Sequence, residues 1–327
     1  MRRRDCGFYT LGSPAPEGTS SLPGTRGDGA SRSRRRPLSP CGRTGRRRAV
    51  RLAADFQFSQ NSLQDYVDCR RRFQLRHVLR LAWPAVEAEP VVEHEMHMQM
   101  GAVFHRLVHQ HVSGVPADRL SDSISDEELR AWWRNYLEEG PGDLPAARHS
   151  ELVLSAPLGE SSLVARYDLV AVEPGGRAVI VDWKTSRRRA RREQLAERLQ
   201  TRVYPCVLVW AGAFMNDGEA LAPEQVEMMY WYAGFPKEPV SIEYDQVQYE
   251  SDQAYLSDLV AEIAALPEGD QPLTDNVQHC RYCVYRSLCE RGVAGGPVDG
   301  LGDEEDLAGE DLESLFDFGE IEEVVYE

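Results

Sequence analysis

Apolar positions in the middle of the chain change period, and the change divides it into elements. After Asn61-Ser62, a helix-start signal, Leu63, Tyr66, Cys69 and Phe73 recur at spacings of three and four, which is one helix face. Met100, Val103, Phe104, Leu107 and Val108 repeat that spacing, and a third helix is expected over residues 129–137. The period then shortens. Residues 152–158, 163–172 and 178–183 read as strands, the last two joined at Pro174-Gly175-Gly176. Leu195, Leu199, Val203 and Val207 return to the helical period. Residues 226–232 and 240–244 read as further strands, and 254–266 as a helix ahead of a cysteine-rich end. The expected architecture is one α/β domain, a central mixed sheet flanked by helices.

The two ends lack this periodicity. Residues 1–52 are rich in Gly, Pro, Ser and Arg, with 13 arginines against Asp5, Glu17 and Asp28. Residues 294–327 hold 13 acids and no base. Neither composition can bury a core, so three regions are expected: a basic extension 1–52, a folded domain 53–293 and an acidic, disordered tail 294–327 with one short helix near 312–316. The extension admits three readings: a disordered arm, an organellar transit peptide, or sequence ahead of the true start. Its Gly and Pro content disfavours the amphipathic helix of a transit peptide.

The net charge is −16 over the chain, so bulk charge gives nucleic-acid binding no support and only local patches can carry it. No apolar run approaches the roughly 20 residues that span a bilayer, and no membrane association is expected. No apolar secretory core follows the basic N-terminus. Seven unevenly spaced cysteines in a chain of 327 residues argue against a disulfide scaffold, so a reducing, cytoplasmic setting is expected.

The chain has two lysines against 35 arginines, and one lysine, Lys184, ends the apolar run Val179-Ile180-Val181-Asp182-Trp183-Lys184. Lysine is a compact point charge and arginine a wide, permanently charged fork, so the choice is informative. Asp182 and Lys184 share a strand face. If the hairpin loop is Pro174-Gly175-Gly176, Glu173 pairs with Arg177 and Asp168 falls opposite Asp182, with β-carbons roughly 5 Å apart. Carboxylates that close repel unless a cation lies between them, and a hard divalent ion such as Mg²⁺ suits oxygen ligands. The alternative is a pair of exposed strand-end acids with Lys184 as their salt-bridge partner. His105 and His109 lie one turn apart on a helix. Gln200 and Tyr204 share a helix face. Taken singly, such pairs are commonly solvated.

Cys280-x₂-Cys283-x₅-Cys289 has the spacing of a metal-ligand cluster, though three thiolates do not complete a site. Cys69, in Tyr66-Val-Asp-Cys69-Arg-Arg-Arg-Phe73, is the candidate fourth, or else a small buried hydrophobe. On spacing alone, zinc and iron–sulfur remain open. Cys6, Cys41 and Cys206 fit no pattern.

In order along residues 53–293 these motifs resemble the RecB-like, iron–sulfur branch of the PD-(D/E)XK nuclease superfamily, in its CRISPR-adaptation exonuclease and AddB nuclease-domain forms. Asn61-Ser62-Leu63-x₂-Tyr66-x₂-Cys69-x₃-Phe73 is similar to its opening helix, and Gly101-x₃-His105 to its histidine motif. Arg166-Tyr-Asp168 resembles its aspartate strand, with Arg where Gly is common. Asp182-Trp-Lys184 resembles the (Asp/Glu)-x-Lys signature, and Gln200-x₃-Tyr204 its Gln-x₃-Tyr helix. The resemblance implies a restriction-endonuclease-like core with a C-terminal cysteine-cluster segment. It implies that His105, Asp168, Asp182 and the Trp183 carbonyl hold Mg²⁺ or Mn²⁺, and that Asp168, Asp182, Lys184, Gln200 and Tyr204 serve catalysis. It further implies that Cys69, Cys280, Cys283 and Cys289 hold a 4Fe-4S cluster that staples the C-terminal end to the first helix. The implied activity is that of a DNA exonuclease in repair or recombination, on single-stranded DNA or free ends, or alternatively a CRISPR-adaptation nuclease. No Gly-x₄-Gly-Lys-(Ser/Thr) is present, so any helicase is a separate partner. Arg187, Arg188, Arg189, Arg191 and Arg192 are expected to contact phosphates. A catalytically silent iron–sulfur DNA-binding subunit and a redox regulator are the competing classes.

Overall fold

A computed structural model describes residues 52–53, 56–81, 89–281 and 283–294. The chain divides into two units, Met1–Arg46 and Arg47–Glu327. The first unit and the helix expected near 312–316 lie outside the described residues.

The second unit begins with β1 (Gln57–Ser59), α1 (Gln60–Asp68) and α2 (Arg70–Phe73), which runs into a π-helical turn, Gln74–Val78. Then come α3 (Glu89–Val112), α4 (Ala117–Asp122) and α5 (Glu127–Glu139). Next are the strands β2 (Ala147–Leu158), β3 (Ser161–Val172) and β4 (Ala178–Lys184). The short α6 (Arg192–Ala196) and α7 (Leu199–Ala211) precede β5 (Val226–Tyr232) and β6 (Val240–Glu243). The unit closes with α8 (Gln246–Ala264) and α9 (Gln278–Arg281).

Four local readings are corrected. β1, three residues long, is too short to show a period and was not expected. The first helix starts before Asn61-Ser62: Ser59 is its N-cap, in a capping box with Ser62. That helix also does not run through to Phe73. It breaks at Cys69, whose φ of −162° and ψ of 109° are extended. The helix expected from Leu195 is two, separated at Glu197 and Arg198.

The six-stranded sheet is mixed, as expected. Its order is β1-β3-β4-β5-β6, with β2 on the other edge of β3. β2, β3 and β4 are successive antiparallel neighbours, while β1 with β3 and β4 with β5 are parallel. Each face of the sheet carries its own core. On one, Phe58, Leu63, Tyr167, Ile180, Met228 and Tyr230 meet the α7 and α8 side chains Val203, Val207, Leu256 and Ile263. On the other, Leu169, Val179, Val181, Trp183 and Trp231 meet α3 and α5 through Phe104, Leu107, Trp132 and Tyr136. All seven residues of β4 are buried. A strand covered on both faces reads as a continuous apolar run, which is why the acid and the lysine at its end stand out.

Candidate active site at a fork in the sheet

β3 has two partners on one edge and they diverge. β1 pairs with residues 162–164 and β4 with residues 169–172, leaving 165–168 between them. On the opposite edge β2 pairs along the strand from Leu158↔Ser161 to Ala147↔Val172, with one gap: Glu151 and Asp168, opposite each other by register. Glu151 has φ of +52°, a left-handed conformation uncommon for a residue with a side chain. The inside–outside alternation slips at this point. Leu163, Ala165 and Tyr167 face the α7 side, but beyond Asp168 it is Val170 and Val172 that do, while Leu169 faces α3 and α5.

Asp168 is thereby turned into the fork. The hairpin has the expected register: Glu173 donates its amide to the Arg177 carbonyl at 2.9 Å, and the β3–β4 ladder runs as far as Leu169↔Val181. The next link between these strands is made by a side chain. The Trp183 amide donates to Asp168 Oδ2 at 2.8 Å. His105, from α3, donates to Asp168 Oδ1 from Nδ1 at 3.2 Å. Burial alone would lower the His105 pKa, but Asp168, then Glu151 and Asp182, raise it to about 9. Burial also opposes ionisation of Asp168, yet the His105 cation, the Trp183 amide and Lys184 hold its carboxyl below the ordinary range.

Asp182 and Lys184 lie beside this pair but answer to other partners. Asp182 is 4% exposed and Lys184 6%, so neither is the exposed strand-end group of the bland reading. Gln200 Nε2 donates to Asp182 Oδ1 at 2.6 Å, and Lys184 Nζ lies 3.0 Å from Asp182 Oδ2 and 5.9 Å from the Tyr230 ring centroid. α7 thus delivers Gln200 from one face of the sheet while α3 delivers His105 from the other. Tyr204, one turn after Gln200, goes into the core. Its ring lies 5.0 Å from that of Tyr167, and its carbonyl accepts the Tyr167 hydroxyl at 2.9 Å.

One residue of the site escaped the sequence reading. Ligand atoms of His105, Glu151 and Asp168 lie within 4.8 Å of one another, and all three residues are half-buried. The strand expected from residue 152 stopped one residue short of Glu151. The two-residue turn Gly159-Glu160, which pairs Leu158 with Ser161, carries the register that places Glu151 opposite Asp168.

Of the five arginines after Ser186, two are engaged in the fold. Arg189 pairs with Glu238 at 3.0 Å, and Arg192 donates to the Ser241 carbonyl, so both brace the β5–β6 region. Arg187, Arg188 and Arg191 are exposed and have no ion-pair partner among the described residues.

The four candidate cysteines line one cavity, together with Arg72, His279, Tyr285 and Arg291. The break at Cys69 is what takes its side chain off the helix face. Arg291 Nη1 donates to Cys280 Sγ at 3.6 Å. Burial pushes the Cys283 thiol up to about 11, opposed by the Tyr285 amide and Arg72 and reinforced by Cys289 and Cys69. Cys206 lies instead on α7, fully buried in the core.

Two carboxylates and an imidazole at this spacing offer the oxygen and nitrogen donors that divalent Mg²⁺ or Mn²⁺ accept, so the residues present fit such an ion. Among solved structures, a chain from Eubacterium rectale described as "Putative exonuclease" is 9% identical with a TM-score of 0.44, covering 73% of this chain and 94% of that one. A second, SSO0001, is 13% identical with a TM-score of 0.31, covering 60% of this chain and 98% of that one. No curated protein matches the sequence. The sequence model of one family matches from β1 through the last of the cysteines, residues 57–290, and by that match the chain belongs to the PD-(D/E)XK nuclease superfamily.

Proposed function

We propose that this protein is a Mg²⁺- or Mn²⁺-dependent deoxyribonuclease that digests DNA from free ends. One observation carries the reading: His105, Asp168, Asp182 and Lys184 converge at the fork where β1 and β4 diverge along β3, and Asp182 and Lys184 are both almost fully buried. His105, Asp168, Asp182 and the Trp183 carbonyl would hold the ion. When bound, the ion polarises a phosphoryl oxygen and acidifies a water. Gln200 fixes one oxygen of Asp182, so the carboxylate presents a constant face. Lys184, a point charge at the strand end, stabilises negative charge developing on the phosphoryl group. Arg187, Arg188 and Arg191 supply the local positive charge that the acidic chain otherwise lacks, and they meet phosphates on the approach to the site. Tyr204, held against Tyr167, serves by fixing the helix that carries Gln200.

The four cysteines that line one cavity support a metal centre there, which we read as a 4Fe-4S cluster, with zinc as the alternative. Arg72 and Arg291 beside them suit the negative charge of a thiolate-bound metal centre of either kind. The role we infer is in repair or recombination, in a reducing cytoplasm, with any helicase supplied by a separate subunit. No described helix is long and apolar enough to cross a membrane.

The test is digestion of end-labelled linear and circular single-stranded DNA with Mn²⁺, by the wild type and by Asp182→Ala. Loss of the linear substrate alone, abolished by the substitution, is the expected result. Wild-type digestion by Asp182→Ala overturns the assignment, and cutting of the circle overturns the preference for ends.

A further inference from the structure

We infer that Glu151 is a ligand of the same metal centre, an acid that stands outside the sequence motifs and is delivered by β2. The inference rests on the metal-dependent reading above and extends its ligand set. Three observations meet at this residue. By register Glu151 is directly opposite Asp168, at the one pair where the β2–β3 ladder is interrupted. Its backbone has φ of +52°, where glycine would be at ease and a side chain is uncommon. And its carboxylate lies within 4.8 Å of both the His105 ring nitrogen and the Asp168 carboxylate.

These observations have one physical reading. In an unbroken antiparallel pair Glu151 would follow the alternation of its neighbours, and Asp168 would do the same. The left-handed turn at Glu151 and the slip at Asp168 bring both side chains to the fork, where α3 presents His105. Two carboxylate oxygens and a ring nitrogen meeting at one point form a donor set for a divalent cation. Asp182, oriented by Gln200 and Lys184, joins His105, Glu151 and Asp168 from the β4 side.

Titration of the full-length protein with Mn²⁺ alone, without DNA, followed by calorimetry, tests this apart from catalysis. Two variants are used: Glu151→Gln, which keeps the shape, and Glu151→Gly, which suits the positive φ. Both should bind Mn²⁺ at least about tenfold more weakly than the wild type. The metal-free variants should keep the far-ultraviolet circular dichroism of the wild type, so that weaker binding is not a loss of fold. Asp168→Asn serves as the reference and should lose Mn²⁺ binding. Unchanged affinity in both Glu151 variants, with binding lost in Asp168→Asn, overturns the inference and leaves the metal centre standing. Unchanged affinity in all three overturns the metal reading of the site and this inference with it.

Discussion

Lys184 lies 3.0 Å from Asp182 in a strand with no exposed residue, so the space around its ammonium is set by packing. Arginine at this position keeps the charge but is wider and planar. It cannot occupy the same point beside Asp182 and over the Tyr230 ring without displacing one of them. Lys184→Arg should therefore lower the rate of DNA cleavage at least about a hundredfold, while DNA binding changes little. Single-turnover cleavage alongside a binding isotherm measures the two separately. An active arginine variant would show that Lys184 only balances the charge of Asp182. The residues around it were legible to different degrees. Asp168, Asp182 and Lys184 stand in a motif, and a motif survives in one dimension. Glu151 belongs to no local pattern, because what places it is register across a hairpin.

At the scale of elements, the unit that ends at the cysteine cavity is held by a buried ionic knot. Asp65 on α1 is fully buried and pairs with Arg72 Nε at 2.6 Å, Arg76 Nη1 at 2.9 Å and His77 Nε2 at 2.8 Å. Arg72 also reaches Asp68 at 2.6 Å and lines the cavity. The knot fastens α1 to the α2 and π-helical segment across the break at Cys69. Burial pushes the Asp65 carboxyl up, but the His77 hydrogen bond and the two guanidinium charges outweigh it and hold the pKa at about 2, against 3.8 ordinarily. A folded pKa below the unfolded one gives stability that is present above about pH 4 and lost as the pH falls toward 2, here about 2 kcal/mol. Asp65→Asn leaves guanidinium groups buried without their acid and should cost about 3–5 kcal/mol at neutral pH. The difference in urea midpoint between this variant and the wild type should narrow below pH 4. A difference that stays constant down to pH 2 would mean that Asp65 is not ionised in the fold.

At the scale of the molecule, the C-terminal segment returns to the N-terminal helices, and the polar contacts already join them. Gln74 donates to the Gly269 carbonyl at 2.7 Å, Arg71 pairs with Asp270 at 2.6 Å, and Tyr285 donates to the Leu81 carbonyl at 2.9 Å. A cluster bridging Cys69 to Cys280, Cys283 and Cys289 would close a very long loop and stabilise the fold chiefly by constraining the unfolded chain. The purified protein should be brown and contain iron and acid-labile sulfide. Elemental analysis that finds stoichiometric zinc and no iron would reject the cluster and leave the nuclease untouched. Cys69→Ser should lose the colour and become protease-sensitive between Cys280 and Cys289. Were Cys69 merely packed, the same change would cost about 1–2 kcal/mol and leave the colour in place.

What the amino-acid order determined by itself is whatever is written within one element or one short turn. The strands β2 to β5 follow from alternating or continuous apolar runs bounded by turn residues, the Asp182-Trp183-Lys184 signature from three adjacent letters, and the β3–β4 register from a Pro-Gly-Gly loop. Tertiary structure decided the rest, because it depends on which elements become neighbours. The short β1 forms only because β3 offers its edge, and that pairing, diverging from β4, creates the fork. The break at Cys69 is read as helix by periodicity, since a single extended residue leaves no trace in the spacing of apolar residues. Glu151 comes beside His105 and Asp168, and Arg189 and Arg192 reach Glu238 and Ser241, through residues far away in sequence. The physical reason is common to all of them: local propensity fixes which way a segment folds, whereas the partners of a buried charge are chosen only when the sheet closes around it.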